Sequence, residues 1–329
     1  MPRRAMIAVE NLTRYYGAKL ALDRVTFQID RGEAVGLLGL NGAGKSTMLR
    51  ILTSLMLPSA GRATIDGLDV VQNARGVRAR LGYLPDVPPL YGEMTVHDFL
   101  MFAAQVRGLE EKESERRVLE VEEMTALSDV REERASHLSH GYRQRLGIAQ
   151  AIVHRPSVVI LDEPTSGLDP AQTVEMRGLI RSLRDEHTVL FSSHLLPEVS
   201  HVCDRVLILH RGALLGQPKM SDLAAVLGMH AVLVRIRGEA GAARALLSKL
   251  EGVHEVEVEQ VGDGQTEFRL LLKPDVRPQV ARALIEGGFE LLRLDRPELD
   301  LETVFLRLTG HKPPASGTKH ANGGADRPA

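Results

Sequence analysis

A single cysteine, Cys203, stands among the 329 residues, so no disulfide can form within the chain, and a reducing compartment such as the cytoplasm fits. It lies in the apolar-rich stretch 201–209 and reads as a small buried hydrophobe. An excess of one charge sign is also missing. With 41 basic and 43 acidic side chains the net charge is −2, which argues against a surface built mainly to hold nucleic acid. Arg143 and Arg145 suggest a local patch of that kind, but no interleaved aromatic stretch supports it. No apolar run approaches the ~18 residues of a membrane-spanning helix. The apolar stretch after Arg3 and Arg4 ends at Glu10, short of the roughly 7–15 residues of a signal-peptide core. Any passage across a membrane must therefore be supplied by another chain.

The chain does have material for two domains, with 43% hydrophobic and 26% charged residues. Residues 6–10 and 25–29 read as short strands around a turn at Gly17, and 34–38 as a buried strand that leads into a glycine-rich loop. A helical pattern follows over 46–55. Residues 93–127 look helical, with 110–123 mostly a solvated face. Apolar strands return at 158–161, 189–192 and 206–209, between helical stretches. That alternation predicts an α/β fold with a mainly parallel sheet. Beyond residue 230 a two-residue period sets in (Val232, Val234, Ile236; Phe268, Leu270, Leu272). Its strand–helix–strand–strand–helix–strand order is that of a small α+β, ferredoxin-like module over 230–310. Residues 311–329, rich in Pro, Gly, Lys and Asp, are expected to be a disordered tail.

Gly39-Leu40-Asn41-Gly42-Ala43-Gly44-Lys45-Ser46-Thr47 has the spacing of a phosphate-binding loop between a strand and a helix. Glycines let the backbone turn tightly and aim N–H groups inward, and the helix N-terminus adds partial positive charge. Lys45 is expected to neutralise the β- and γ-phosphates of ATP, and Ser46 to hold Mg²⁺ through its hydroxyl. The strand 158–161 runs into Asp162-Glu163, which places two acids at the carboxyl edge of the sheet, where ligands of open α/β sheets bind. Asp162 is the expected Mg²⁺ partner and Glu163 the general base that polarises the attacking water.

With these residues in place, the chain resembles the nucleotide-binding subunits of ABC transporters over roughly residues 5–220. Leu138-Ser139-His140-Gly141-Tyr142 looks like the signature motif of that family, and residues 162–169 like its Walker B segment and D-loop. His194 sits at the place of its switch histidine, and Tyr16 at that of the aromatic which stacks on adenine. The resemblance implies a P-loop NTPase core over 1–222, built from a parallel-rich sheet, an antiparallel β subdomain and a helical subdomain near 86–150. It implies that Ser139 and the Gly141 N–H contact the γ-phosphate of ATP held by a second copy, and that Asp169 organises the opposite phosphate loop. His194 would contact the γ-phosphate and position the water. ATP hydrolysis in such a homodimer drives integral membrane permease subunits that dock near residues 86–135, and the chain is then cytoplasmic and peripheral on the inner face of the cell membrane.

Two positions depart from the pattern. Asp86, after Leu84-Pro85, stands where a Mg²⁺-sensing glutamine is usual. Its side chain is a competent ligand with a shorter reach. His140 and Tyr142 replace the usual glycine and glutamine, while Gly141 is kept. The segment 293–305 and the stretches Ser-His-Gly-Tyr-Arg-Gln-Arg and Gly82-Tyr83-Leu84-Pro85 resemble ATPases of type-2 exporters and gliding-motility systems, which favours export. The rival reading is a soluble ABC ATPase that acts on a ribosomal or nucleic-acid complex. Against it, the phosphate loop and the signature each occur once, and the interval between them lacks sustained heptads.

Overall fold

The computed structural model describes residues 5–220, 230–261 and 264–295. Two antiparallel strands of twelve residues, β1 (Ala5–Tyr16) and β2 (Lys19–Asp30), reverse at Gly17, whose φ of +57° is the left-handed conformation a tight turn requires. They are longer than the alternation predicts. Register shifts after Val9 and Leu12, and positive φ at Asn11 and Arg24, break the two-residue period while the ladder continues to Tyr16↔Lys19. With β4 (Ala60–Ile65) and β5 (Leu68–Asp69) they form a sheet of order β2-β1-β4-β5.

The second sheet holds the runs that are apolar throughout. β3 (Ala34–Leu38) and β7 (Val158–Leu161) are buried at every residue, as is β8 (Thr188–Ser193), which is what a strand covered on both faces demands. With β6 (Leu81–Leu84), β9 (Arg205–His210) and β10 (Ala213–Gly216) the order is β10-β9-β3-β8-β7-β6, and only β10 pairs antiparallel. Helix α1 (Lys45–Leu52) joins the two sheets. Its Met48, Leu49, Ile51 and Leu52 share one core with Ile7, Val9, Val35, Leu37, Ile160 and Leu207.

After the short helix α2 (Ala74–Arg80), the helical stretch expected over 93–127 is two helices, α3 (Val96–Val106) and α4 (Glu111–Met124), because the chain turns at Gly108 with φ +92°. The Thr95 side chain caps α3 by accepting from the Asp98 N–H at 3.1 Å. Nor is 110–123 simply a solvated face. Ser114, Arg117, Val118, Val121 and Glu122 are buried. Glu122, at 0% exposure, lies 2.8 Å from His97 Nδ1 and 2.9 Å from Arg131. Helices α5 (His140–Ile152), α6 (Pro170–Ser182) and α7 (Leu196–Ser200) complete this unit, which extends to Leu223.

The second unit begins at Ala224. It consists of β11 (His230–Arg237), α8 (Ala240–Leu247), β12 (Val253–Val261), β13 (Gln265–Leu272), α9 (Arg277–Glu286) and β14 (Glu290–Asp295). The antiparallel order β12-β13-β11-β14 buries Val232, Val234, Ile236, Phe268, Leu270 and Leu272 against Ala243, Leu247, Val280 and Leu284. This is the ferredoxin-like arrangement. The expected tail at 311–329 and the exporter-like residues 296–305 lie outside the described residues. Among the described residues no helix is long and apolar enough to cross a membrane.

Candidate functional site

The central strand β3 delivers the phosphate loop. At its end the backbone turns through Gly42 (φ +81°) and Gly44 (φ +109°) into α1. At residue 44 a side chain is excluded twice over, because a Cβ there would also stand 2.7 Å from the Ala21 carbonyl oxygen. Lys45, the first residue of α1, is 6% exposed. Its Nζ lies 2.6 Å from the Gly39 carbonyl oxygen and 3.1 Å from Glu163 Oε1.

The neighbouring strands deliver the acids. Asp162 follows β7 and is 3% exposed. Its Oδ1 accepts from Ser192 Oγ, at the end of β8, at 2.6 Å. The same Ser192 oxygen accepts the Glu163 N–H at 2.9 Å, so one hydroxyl fixes both acids. Glu163 has a left-handed φ of +49°, a conformation that costs energy in a non-glycine residue and collects at functional sites. Its second oxygen, Oε2, lies 2.9 Å from His194 Nδ1. Burial pushes the Asp162 carboxyl above its usual range. Hydrogen bonds from Ser192 and Ser46 oppose that shift, and the charges of Glu163 and Asp86 add to it.

A cleft of about 550 Å³ brings together Tyr16, Asn41, Gly42, Gly44, Lys45, Ser46, Thr47, Asp86, Glu163 and His194. Leu40 of the phosphate loop and Ser166 of the segment 162–169 line it too, as do Lys19, Leu20, Ala21 and Arg211, which the sequence motifs did not single out. The cation Lys19 is the first residue of β2 and Arg211 lies in the β9–β10 turn, and no motif marks either. Tyr16 stands at the rim with its hydroxyl 3.1 Å from Met56 Sδ and the Arg14 guanidinium 5.1 Å from the ring centroid. Gly39 and Ala43 shape the loop from outside this lining, and Asp162 opens instead to an adjoining cleft of about 540 Å³ that Ser46 and Asp86 share.

Ser139, Gly141 and Asp169 also lie outside the lining of the first cleft. Ser139 is the N-cap of α5, its hydroxyl oxygen 3.4 Å from the Tyr142 N–H, and Asp169 caps α6 by accepting from the Gln172 N–H at 2.8 Å. A Cβ on Gly141 would meet the Gln172 side chain, with Oε1 at 2.7 Å, so a larger residue there would have to displace that amide. The far end of α5 is held by buried Arg117, whose Nε and a terminal nitrogen donate to the Val153 and Ile152 carbonyls at 3.2 and 3.1 Å.

The donor set beside Ser46 consists of hard oxygens, from the serine hydroxyl and the Asp162 and Asp86 carboxylates, which suits Mg²⁺. Among the described residues, however, no three His, Cys, Asp or Glu gather closely enough to hold a metal unaided. This donor set fits an ion that shares its coordination with water and substrate phosphates.

Comparison with known proteins gives a consistent result. The family model described as ABC transporter matches residues 22–166. The bacitracin transport ATP-binding protein BcrA of Bacillus licheniformis is 32% identical over 93% of this chain and 97% of its own length. The daunorubicin resistance ATP-binding protein DrrA3 of Streptomyces coeruleorubidus is 36% identical over 92% and 96%. A solved dimeric ATP-binding cassette in a post-hydrolysis state, bound to ADP and Pi, covers 65% of this chain and 99% of its own, at TM-score 0.61 and 26% identity.

Proposed function

We propose, since the chain belongs to the family of ABC transporter ATP-binding subunits, that it hydrolyses ATP between two copies of itself and thereby drives export through separate membrane subunits. It binds ATP and is an ATPase. The observation that carries the finer reading is the placement of Lys45, Glu163 and His194 around one cleft under the phosphate loop.

The chemistry follows from that geometry. The amides of residues 42–47 and the N-terminus of α1 receive the phosphates. Lys45 exchanges its contact with Glu163 for the β- and γ-phosphates, which frees the carboxylate. Ser46 and Asp162 would hold Mg²⁺, with Asp86 alongside, and the bound ion would neutralise phosphate charge. Glu163 then takes a proton from a water whose oxygen attacks the γ-phosphorus. The bond to the bridging oxygen breaks, ADP leaves, and the proton passes to the released phosphate. His194, bonded to Glu163, sets the direction of that carboxylate and faces the γ-phosphate. Tyr16 supplies a face for the adenine.

Ser139 and Gly141 lie away from the cleft of their own copy, which supports their acting on ATP held by another. Solved cassettes of the family do form dimers. Asp169, besides capping α6, is placed by the same reading against the opposite phosphate loop. The region 86–135 offers exposed apolar side chains, among them Val87, Tyr91, Phe102 and Val106, to a membrane subunit. Export is supported by relatives whose names specify bacitracin transport and daunorubicin resistance, and a location on the inner membrane face follows from such a partner. The reading is tested with purified chain, alone and with its co-expressed membrane subunit. Phosphate release from Mg²⁺·ATP is expected, and no turnover in either form would overturn it.

A further inference from the structure

His140 stands where the resembled signature usually has glycine, and the structure gives its side chain a partner. Nε2 lies 2.8 Å from the Ser166 carbonyl oxygen. A carbonyl only accepts, so Nε2 carries the hydrogen. The ring lies against Gly167 (φ +73°), where a Cβ would come within 3.3 Å of Nε2. The Ser166 N–H donates in turn to the Glu163 carbonyl oxygen at 3.0 Å, and Ser166 lines the same cleft as Lys45 and Glu163. Two hydrogen bonds therefore connect the backbone of the proposed base to the residue beside Ser139.

We propose that His140 is a positioning residue that ties the signature turn, offered to the second copy's ATP, to the loop lining its own copy's cleft, and so makes the two ATP sites cooperative. This rests on the paired-copy reading above. ATP entering a cleft draws Lys45 off Glu163 and resets the segment 163–167. The His140 bond passes that shift to the turn carrying Ser139. The other hydrogen bonds at Ser139 stay within the signature helix itself, from the Tyr142 N–H to Ser139 Oγ at 3.4 Å and from the Arg143 N–H to the Ser139 carbonyl oxygen at 3.0 Å. Coupling between binding sites is reciprocal, so each ATP favours the other.

The test is the ATP dependence of turnover by the full-length chain. The unaltered protein is expected to show a Hill coefficient approaching about 2, the limit for two sites. His140→Gly and His140→Ala are expected to bring it down to about 1. His140→Gln, whose amide donates to the same carbonyl, is expected to restore most of the cooperativity, whereas His140→Leu is not. That pair decides the question should the smaller variants fail to fold. Equal Hill coefficients in the unaltered protein and His140→Leu, or no cooperativity in the unaltered protein, overturn the proposal. Size-exclusion chromatography with ATP separates this failure from that of its premise. Dimers of both Glu163→Gln and Glu163→Gln/His140→Leu alongside an unchanged Hill coefficient refute only the role of His140. Absence of a Glu163→Gln dimer refutes the paired reading, and this proposal with it.

Discussion

Lys45 Nζ lies 3.1 Å from Glu163 Oε1, so the cation suited to phosphate is held by the acid suited to water. Neither group can do its own work while that pair persists. A triphosphate, with more charge and more oxygens than one carboxylate, is the natural competitor for the ammonium.

Glu163→Gln should separate binding from hydrolysis. The amide keeps the shape of the side chain but accepts no proton from water, so turnover should fall between about 10²- and 10⁴-fold. Nucleotide affinity should hold or rise, because Lys45 is no longer tied to a carboxylate. Single-turnover phosphate release, run beside equilibrium ATP binding, tests both halves. Normal turnover in the variant removes Glu163 from the role of base.

Lys45→Ala should weaken ATP binding by about 10- to 100-fold, the worth of one charge-assisted contact to phosphate. Titration calorimetry with Mg²⁺·ATP measures it. An affinity within twofold of the unaltered protein contradicts the proposed contact.

Asp162 links the site to pH. Its carboxyl is raised above the usual 3.8, chiefly by burial. The folded chain therefore binds this proton more tightly than the unfolded chain does. Its stabilising contribution is complete below 3.8 and is lost as pH rises through the elevated folded value. Asp162→Asn removes that loss. Without nucleotide it should melt roughly 2–4 °C higher at neutral pH, with the advantage shrinking in acid. Differential scanning calorimetry across pH follows the trend. A variant less stable than the parent at neutral pH would contradict it. The Mg²⁺ dependence of turnover should disappear along with activity.

Arg117→Ala leaves the Ile152 and Val153 carbonyls without their buried donor. A loss of about 2–4 kcal/mol in urea denaturation is expected. A change below about 0.5 kcal/mol, the range of an ordinary surface substitution, would show that α5 does not depend on this cap.

Local patterns made part of the site legible. Residues 39–47 work through their own backbone, and the order strand, loop, helix is written in consecutive positions. Asp162 and Glu163 were legible because a run of buried residues must end at a sheet edge. Ser192 was not, since a hydroxyl that bridges two acids on the next strand leaves no mark distinguishing it from any other serine. Lys19 and Arg211 reach the cleft from positions nearly two hundred residues apart, and only the completed sheets bring them together. The mixed charges of 110–123 misled for a related reason. Arg117 and Glu122 find partners at Val153, His97 and Arg131, which periodicity cannot reveal. The lengths of β1 and β2 escaped because the irregular register spoils the alternation without ending the ladder.

The strand order carries a mechanical corollary. β3, which bears the phosphate loop, is clamped by ladders on both sides, from β8 and β9. Among the described residues β6, which leads to Asp86, pairs with β7 alone. Moving the phosphate loop would shear two ladders, whereas tilting the segment around Asp86 strains one at most. Compliance is thus expected at the sheet's outer margin, while the strand that carries the phosphate loop is braced on both sides.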